Sequence, residues 1–381
     1  MIKPFYLDLT ENEIEDIQSK LGEILRSGVL ILGKYTKEFE SEFAKYTGTK
    51  YAVALNTCTS AIEVMLTIKG AKGKKVAVAT NSNFATVASI IKAGGIPVFM
   101  DMTKEYFVPD LNILKSTYEK HKDIGGVLWV HIGGIINPDF PEVVDFCRSK
   151  NIFLLEDDAH AHGSQISGIK AGNLADGGCF SFFPTKVITT MEGGMITTNS
   201  EEEERLARSY RNQGKRDGDY GGLHYDLGSS WRMSEISAYM GLVMLSKLDR
   251  MIAKRQAAVN ALIPALKQYK IDYVDTSHMD AASQYKFIIR FRSGTLDSYK
   301  QRFKEEGVIL GGGVYEIPCH LHPVFQNLSF DRSELKNAEE FCPKQICLPV
   351  TSGLSRDDIE LLKSTVIKIL ESMETYPKSI S

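Results

Sequence analysis

The residues of this chain able to do chemistry gather in two stretches. From Cys179 to Ile196, CFSFFPTKVITTMEGGMI, an aromatic strand-like run passes through Pro184 and Thr185 to one lysine, Lys186, and then to the glycine pair Gly193 and Gly194. An isolated lysine is ordinarily a surface side chain whose stem snorkels. One held in a partly dry pocket is instead an amine able to attack a carbonyl. The second stretch, IFLLEDDAHAHG, places Glu156, Asp157, Asp158, His160 and His162 directly after a continuous apolar run. One aspartate there would be a turn or cap residue. Five ionisable groups together point to a site, because desolvating them without partners costs several kcal/mol.

Two chemistries use such groups. His160 and His162, two apart, could join Asp157 as metal ligands, but no further cluster with ligand spacing follows and Lys186 is left idle, so no metal is expected. Pyridoxal phosphate uses both stretches. It needs a lysine to form an imine, a carboxylate opposite the pyridine nitrogen so that the ring acts as an electron sink, and a helix N-terminus to cradle its phosphate. Lys186, the EDD strand end and N-T-C-T-S (Asn56 to Ser60) before a helix answer these needs in order.

The elements that must position these groups are legible in the periodicity. Apolar positions at helical spacing run from Glu11 to Ser27, ending at Gly28, and again from Tyr35 to Tyr46, ending at Gly48. Continuous apolar runs at 51–55, 76–80, 96–101, 126–131 and 152–158 alternate with helices, which predicts a mostly parallel sheet covered on both faces. Ligands of such sheets sit beyond the strands' carboxyl ends. A long helical stretch, about 234–266, bridges to an α+β texture that opens with QYKFIIRF. This predicts a large domain over 1–245 and a smaller one over 246–381.

Composition excludes other classes. The 381 residues are 43% hydrophobic and 24% charged with a formal charge of -3, which argues against nucleic-acid binding through bulk basicity. No apolar run reaches membrane-spanning length, and the N-terminus turns acidic before a signal-peptide core forms, so a cytoplasmic protein is expected. The six cysteines lack CxxC spacing, and free thiols are expected.

The chain resembles the DegT/StrS sugar aminotransferases. The resemblance runs through NTCTSAI, NFATVASIIKAGGIPVFMD, VHIGG, LLEDDAHAHGS, SFFPTKVITTMEGGMITT, LGSSWRMSEISAYMGL, IPCHLHP and CLPVTSGLS. It implies the type I fold of pyridoxal-phosphate enzymes. Lys186 matches the lysine that holds the cofactor and shuttles the proton, and Asp157 the partner of the pyridinium nitrogen. His160 falls beside the ring hydroxyl, Phe84 at the aromatic position on the ring face, and Ser181, Thr59 and the Cys58 backbone at the phosphate. Ser230 stands where the family has an asparagine that reaches the neighbouring subunit's cofactor. Arg211 and Lys215, in RSYRNQGKRDGDYGGLHY (Arg208 to Tyr225), and His320 fall where substrate contacts are expected.

Three departures stand out: Cys58 replaces a glycine of the phosphate turn, Ser230 replaces the asparagine, and VHIGGIINPDF departs from the usual wording on the substrate side. A branch that removes the C3 hydroxyl carries histidine in place of the lysine, and Lys186 argues against it. The resemblance thus implies a homodimer with sites at its interface. It would move an amino group from glutamate, or glutamine, through pyridoxamine phosphate to a nucleotide-linked 3- or 4-keto-6-deoxyhexose. The alternatives are a transaminase of a keto-inositol or acid sugar, and a cofactor-bound regulator without catalysis.

Overall fold

The computed structural model describes residues 1–216, 222–291, 293–328 and 332–373. Two amphipathic helices open the chain, α1 (Glu11–Ser27) and α2 (Lys34–Thr47), each stopped by a left-handed glycine, Gly28 or Gly48. Strands β1 (Tyr51–Leu55), β2 (Lys75–Ala79), β3 (Ile96–Met100), β4 (Ile124–Val130) and β5 (Phe153–Asp157) then alternate with α3 (Cys58–Ile68), α4 (Phe84–Lys92), α5 (Leu111–Lys120) and α6 (Phe140–Ser149). A short hairpin, β6 (Gln165–Ile166) and β7 (Ile169–Lys170), leads to β8 (Gly178–Ser181) and β9 (Gly194–Thr198), and the Lys186 segment loops out between those last two.

Seven strands form one sheet in the order β1-β9-β8-β5-β4-β2-β3. Only β9 runs against its neighbours; β3, β2, β4, β5 and β8 pair in parallel. Strands such as Val76–Val78 and Val127–Leu128 are buried on both faces, which is why they read as unbroken apolar runs. The chain reverses its direction of travel across the sheet between β3 and β4, which flank β2 on either side. That switch point opens a crevice at the carboxyl ends of β2, β4 and β5.

Beyond the sheet come α7 (Glu201–Arg211), α8 (Glu235–Leu245) and α9 (Leu248–Gln268). The helical stretch expected over 234–266 is therefore two helices. The turn at Ser246–Lys247 has no glycine or proline to announce it; it lets Leu245 and Leu248 enter the same core cluster. A second body follows from β10 (Phe287–Arg290), α10 (Leu296–Glu305), α11 (Lys336–Phe341), β11 (Gln345–Leu348) and α12 (Arg356–Met373), with β10 and β11 antiparallel. Its core joins Leu262 of α9 to Phe287, Phe303, Ile346 and Val366. Ile2 enters this same core and bridges Val308, so the first residues cross to the second body. We propose the domain boundary at 245/246, where α8 ends.

One carboxylate ties the N-terminal helices to the frame. Glu235, buried in the first turn of α8, accepts the N–H groups of Gly33 (2.8 Å), Tyr35 (2.8 Å) and Thr36 (3.0 Å) and the Thr36 hydroxyl. It therefore caps α2 from a distant helix, satisfying first-turn donors that α2 cannot satisfy itself. Glu235→Ala strands these donors and is expected to cost roughly 2–4 kcal/mol, read as a lower urea midpoint for unfolding.

Candidate active site

The switch-point crevice holds a cavity of about 340 Å³, a ligand-sized space. The structure brings together in its lining Cys58, Thr59, Asp157, His160, Ser181 and Lys186, all expected from sequence. Each owes its place to an element end. Cys58 and Thr59 open α3, whose N-cap Thr57 accepts the Ser60 N–H. The first N–H groups of a helix have no intrahelical acceptor, so this end of the cavity is an anion cradle. Cys58 takes the helical backbone without a left-handed angle, and its thiol turns back toward the Cys179 carbonyl (3.6 Å). The cysteine thus takes this turn without the backbone angle that would require glycine. Gly194 is needed behind it: a Cβ there would lie 2.2 Å from the Thr57 carbonyl oxygen and 2.6 Å from the Cys58 nitrogen.

At the other end, Asp157 closes β5 and is buried. Its Oδ2 accepts the Thr86 hydroxyl (2.7 Å) and its Oδ1 the Ala159 N–H (3.1 Å). Burial pushes its carboxyl above the ordinary value, and the two hydrogen bonds and the charges of Lys186 and His131 offset this only in part. The half-buried Lys186 has its Nζ 5.0 Å from the centre of the Tyr285 ring. His160 is buried, and burial, followed by the charges of Lys186 and Lys286, pushes its pKa well below the ordinary value. Its Nδ1 accepts the Gly133 N–H (3.1 Å), which leaves the proton of the neutral ring on Nε2, 3.3 Å from the Tyr315 hydroxyl.

Other expected residues lie elsewhere. Phe84 is not among the residues lining this cavity: it starts α4 with its ring on Phe325 (centroids 5.6 Å apart), while its neighbours Asn83 and Thr86 line the pocket. Arg211 is buried in an ion pair with Glu40 and donates to the Ala54 carbonyl (2.9 Å), so it is a frame residue, not a substrate contact. His320 is likewise interior, held through Nδ1 by Thr80 (2.6 Å) and through Nε2 by Glu339 (3.1 Å). Lys215 and Ser230 lie outside this chain's cavity, on the segment after α7, and Ser230 accepts from Arg232 (3.1 Å). Part of that segment, 217–221, lies outside the described residues.

His160 and His162 do not act as a pair, because His162 packs between Phe180 and Phe182. Among the described residues, one set of side chains stands close enough to share an ion: His131, Glu156 and Asp158, all buried. Glu156 already accepts three backbone N–H groups, those of Gly172, Leu174 and Ala175. Burial, together with the charges of Glu156 and Asp157, pushes the Asp158 carboxyl well up. Sequence reasoning passed over Thr86, Asn83, Glu192 and Tyr315, which line the cavity. Tyr315 comes from the second body and sits at a left-handed φ of 54°, an uncommon angle for a tyrosine.

The model of the DegT/DnrJ/EryC1/StrS aminotransferase family matches residues 11–367. The chain belongs to that family. It is 30% identical over 344 residues to the GDP-perosamine synthase of Caulobacter vibrioides, covering 89% of this chain and 91% of that protein. It is 28% identical over 364 residues to the UDP-4-amino-4,6-dideoxy-N-acetyl-beta-L-altrosamine transaminase of Campylobacter jejuni, covering 93% and 94%. The solved putative sugar aminotransferase Spr1654 from Streptococcus pneumoniae, in its PMP form, superposes with a TM-score of 0.86 at 26% identity over 98% of this chain and 99% of that one. This DegT-family chain is an aminotransferase with the type I fold.

The family implies pyridoxal phosphate, and the cavity fits it. A buried carboxylate bonded only to neutral donors matches a protonated ring nitrogen, a helix N-terminus with Thr59 and Ser181 matches the phosphate, and a lysine lines the same cavity. Gly194→Ala, which drives a methyl group into the phosphate turn, is expected to weaken pyridoxal phosphate binding about tenfold or more. A fluorescence titration of the folded variant measures this.

Proposed function

We propose that this aminotransferase carries an amino group from an amino acid, glutamate (or glutamine) first, to a keto sugar borne on a nucleotide, such as a 3- or 4-keto-6-deoxyhexose. The observation that carries the reading is the convergence of Lys186, Asp157 and the α3 N-terminus on one cavity. Relatives named for UDP- and GDP-linked sugars support the sugar class.

Pyridoxal phosphate, when bound, supplies an electron sink for the carbanion. The chain supplies the rest. Asp157 holds positive charge at the ring nitrogen from within a buried setting, where electrostatic stabilisation is strong. Thr86 and the Ala159 N–H fix the orientation of its carboxylate. Lys186 Nζ would take the proton from the amino acid's Cα and pass it to the cofactor in the first half of the cycle, and in the second half the same amine would carry a proton from the cofactor to the sugar carbon. His160, neutral and fixed by the Gly133 N–H, offers Nε2–H to the ring oxygen. Cys58, Thr59 and Ser181 anchor the phosphate, and Ser230 of a second copy is assigned to its far side.

A homodimer completes this reading. Phe84, Phe183 and Met191 expose apolar surface near the cavity, and Leu223, Tyr225 and Leu227 do so on the Ser230 segment, Leu227 being 98% exposed. Apolar surface of this kind is expected to be covered by a partner. Among the described residues no helix is long and apolar enough to cross a membrane.

The test is incubation with glutamate and a panel of UDP-, GDP- and dTDP-linked keto sugars, with products read by mass. An amino sugar formed by the wild type and absent with Lys186→Ala is expected. Amination of a free keto-inositol, with every nucleotide sugar left untouched, would overturn the substrate class.

A further inference from the structure

A second lysine stands by the ring that packs on Lys186. Lys286, just before β10, brings its Nζ to 5.3 Å from the centre of the Tyr285 ring, while Lys186 Nζ lies 5.0 Å from the same centre. The two ammonium groups are therefore no more than about 10 Å apart. The Lys286 backbone is tied to the site: its N–H donates to the Gly133 carbonyl (3.2 Å), and Gly133 is the residue whose own N–H holds His160. Its charge reaches both neighbours. Although burial acts to raise the Tyr285 phenol, Lys186 and then Lys286 bring it below the ordinary value.

What Lys286 lacks is an anion. Its ammonium donates to the Gly312 carbonyl at 3.3 Å, and no carboxylate pairs with it among the described residues. Glu316, on the loop after Gly312, is taken by Lys300 and the Gly313 N–H. Three arginines of the frame are already engaged: Arg208 and Arg211 bind Glu40, and the buried Arg255 donates to the Gln284 and Val350 carbonyls. An ammonium in a half-buried place, beside an aromatic ring and without a counter-charge, is poised for an anionic group brought by a substrate.

We propose that Lys286 forms a carboxylate subsite, its ammonium binding a carboxylate of the substrate held at Lys186. The inference rests on the aminotransferase assignment for what is held there. The amino donor bears a carboxylate on the carbon that Lys186 deprotonates, and a five-carbon dicarboxylic amino acid places a second one further away. A carboxylate on the keto sugar itself, as in a hexuronate, offers the same chemistry.

The probes are glutarate, which has the donor's two carboxylates and no amine to react, and glucuronate. Each is titrated calorimetrically into the pyridoxal-phosphate-loaded protein as wild type, Lys286→Met and Lys286→Arg. Lys286→Met keeps the stem and removes the charge; it is expected to weaken binding about tenfold or more, and Lys286→Arg to retain most of it. A loss confined to glutarate assigns the subsite to the donor, and a loss confined to glucuronate assigns it to the acceptor. A wild type that binds neither compound, or a Lys286→Met variant that binds both as the wild type does, overturns the proposal. Addition of glutamate to the wild type, followed by the visible absorbance of the bound cofactor, reports the amino transfer separately from the subsite.

Discussion

A carboxylate buried without a cation of its own organises this protein. Asp157 sits at the end of β5, out of water, with one hydroxyl and one amide as its donors. Burying a charge in this way is costly unless an opposite charge arrives. The positive charge that acts on it from the cavity lining is that of Lys186, through space. A protonated pyridine nitrogen would resolve the imbalance, and the α3 N-terminus, Lys186 and His160 would then be the groups left to hold the rest of the proposed cofactor. The parallel sheet exists, in functional terms, to deliver these groups from strand ends to one crevice.

The neighbouring carboxylate Glu156 has partners of its own. Glu156 precedes Asp157 in β5 and so points to the other face of the sheet, where three backbone N–H groups and His131 (3.1 Å) satisfy it. His160 is kept neutral by its burial and by the two lysines. The cavity also takes a lining residue, Tyr315, from the C-terminal part of the chain. Tyr285, Lys286 and Tyr315 come from the C-terminal part of the chain, and the Lys286 N–H grips the same turn, at Gly133, that orients His160. Packing of the second body on the sheet therefore sets the orientation of a group in the first.

Much of this was legible in the sequence, for identifiable reasons. Strands buried on both faces leave unbroken apolar runs, and strand ends of a parallel sheet are where ligands bind, so Lys186 and the EDD strand end could be picked out from order, while the choice of Asp157 and His160 came from the family resemblance. The place of Phe84 could not be read in this way. It is the first residue of α4, and one step along a helix turns a side chain by about 100°; the N-cap Asn83 faces the cavity instead. Arg211 and His320 looked available because their partners are remote: Glu40 lies 171 residues from Arg211, and Thr80 lies 240 residues from His320. Tyr315 was silent because its direction depends on a left-handed backbone angle that no local pattern announces.

The central claim is that Asp157 holds a protonated ring nitrogen, and the most direct measurement is the 15N NMR signal of pyridoxal phosphate labelled at that nitrogen and bound to the protein. The account predicts a protonated nitrogen in the wild type across neutral pH and a neutral one in Asp157→Asn at the same pH. A neutral nitrogen in the wild type, or a protonated one that survives the substitution, would contradict it.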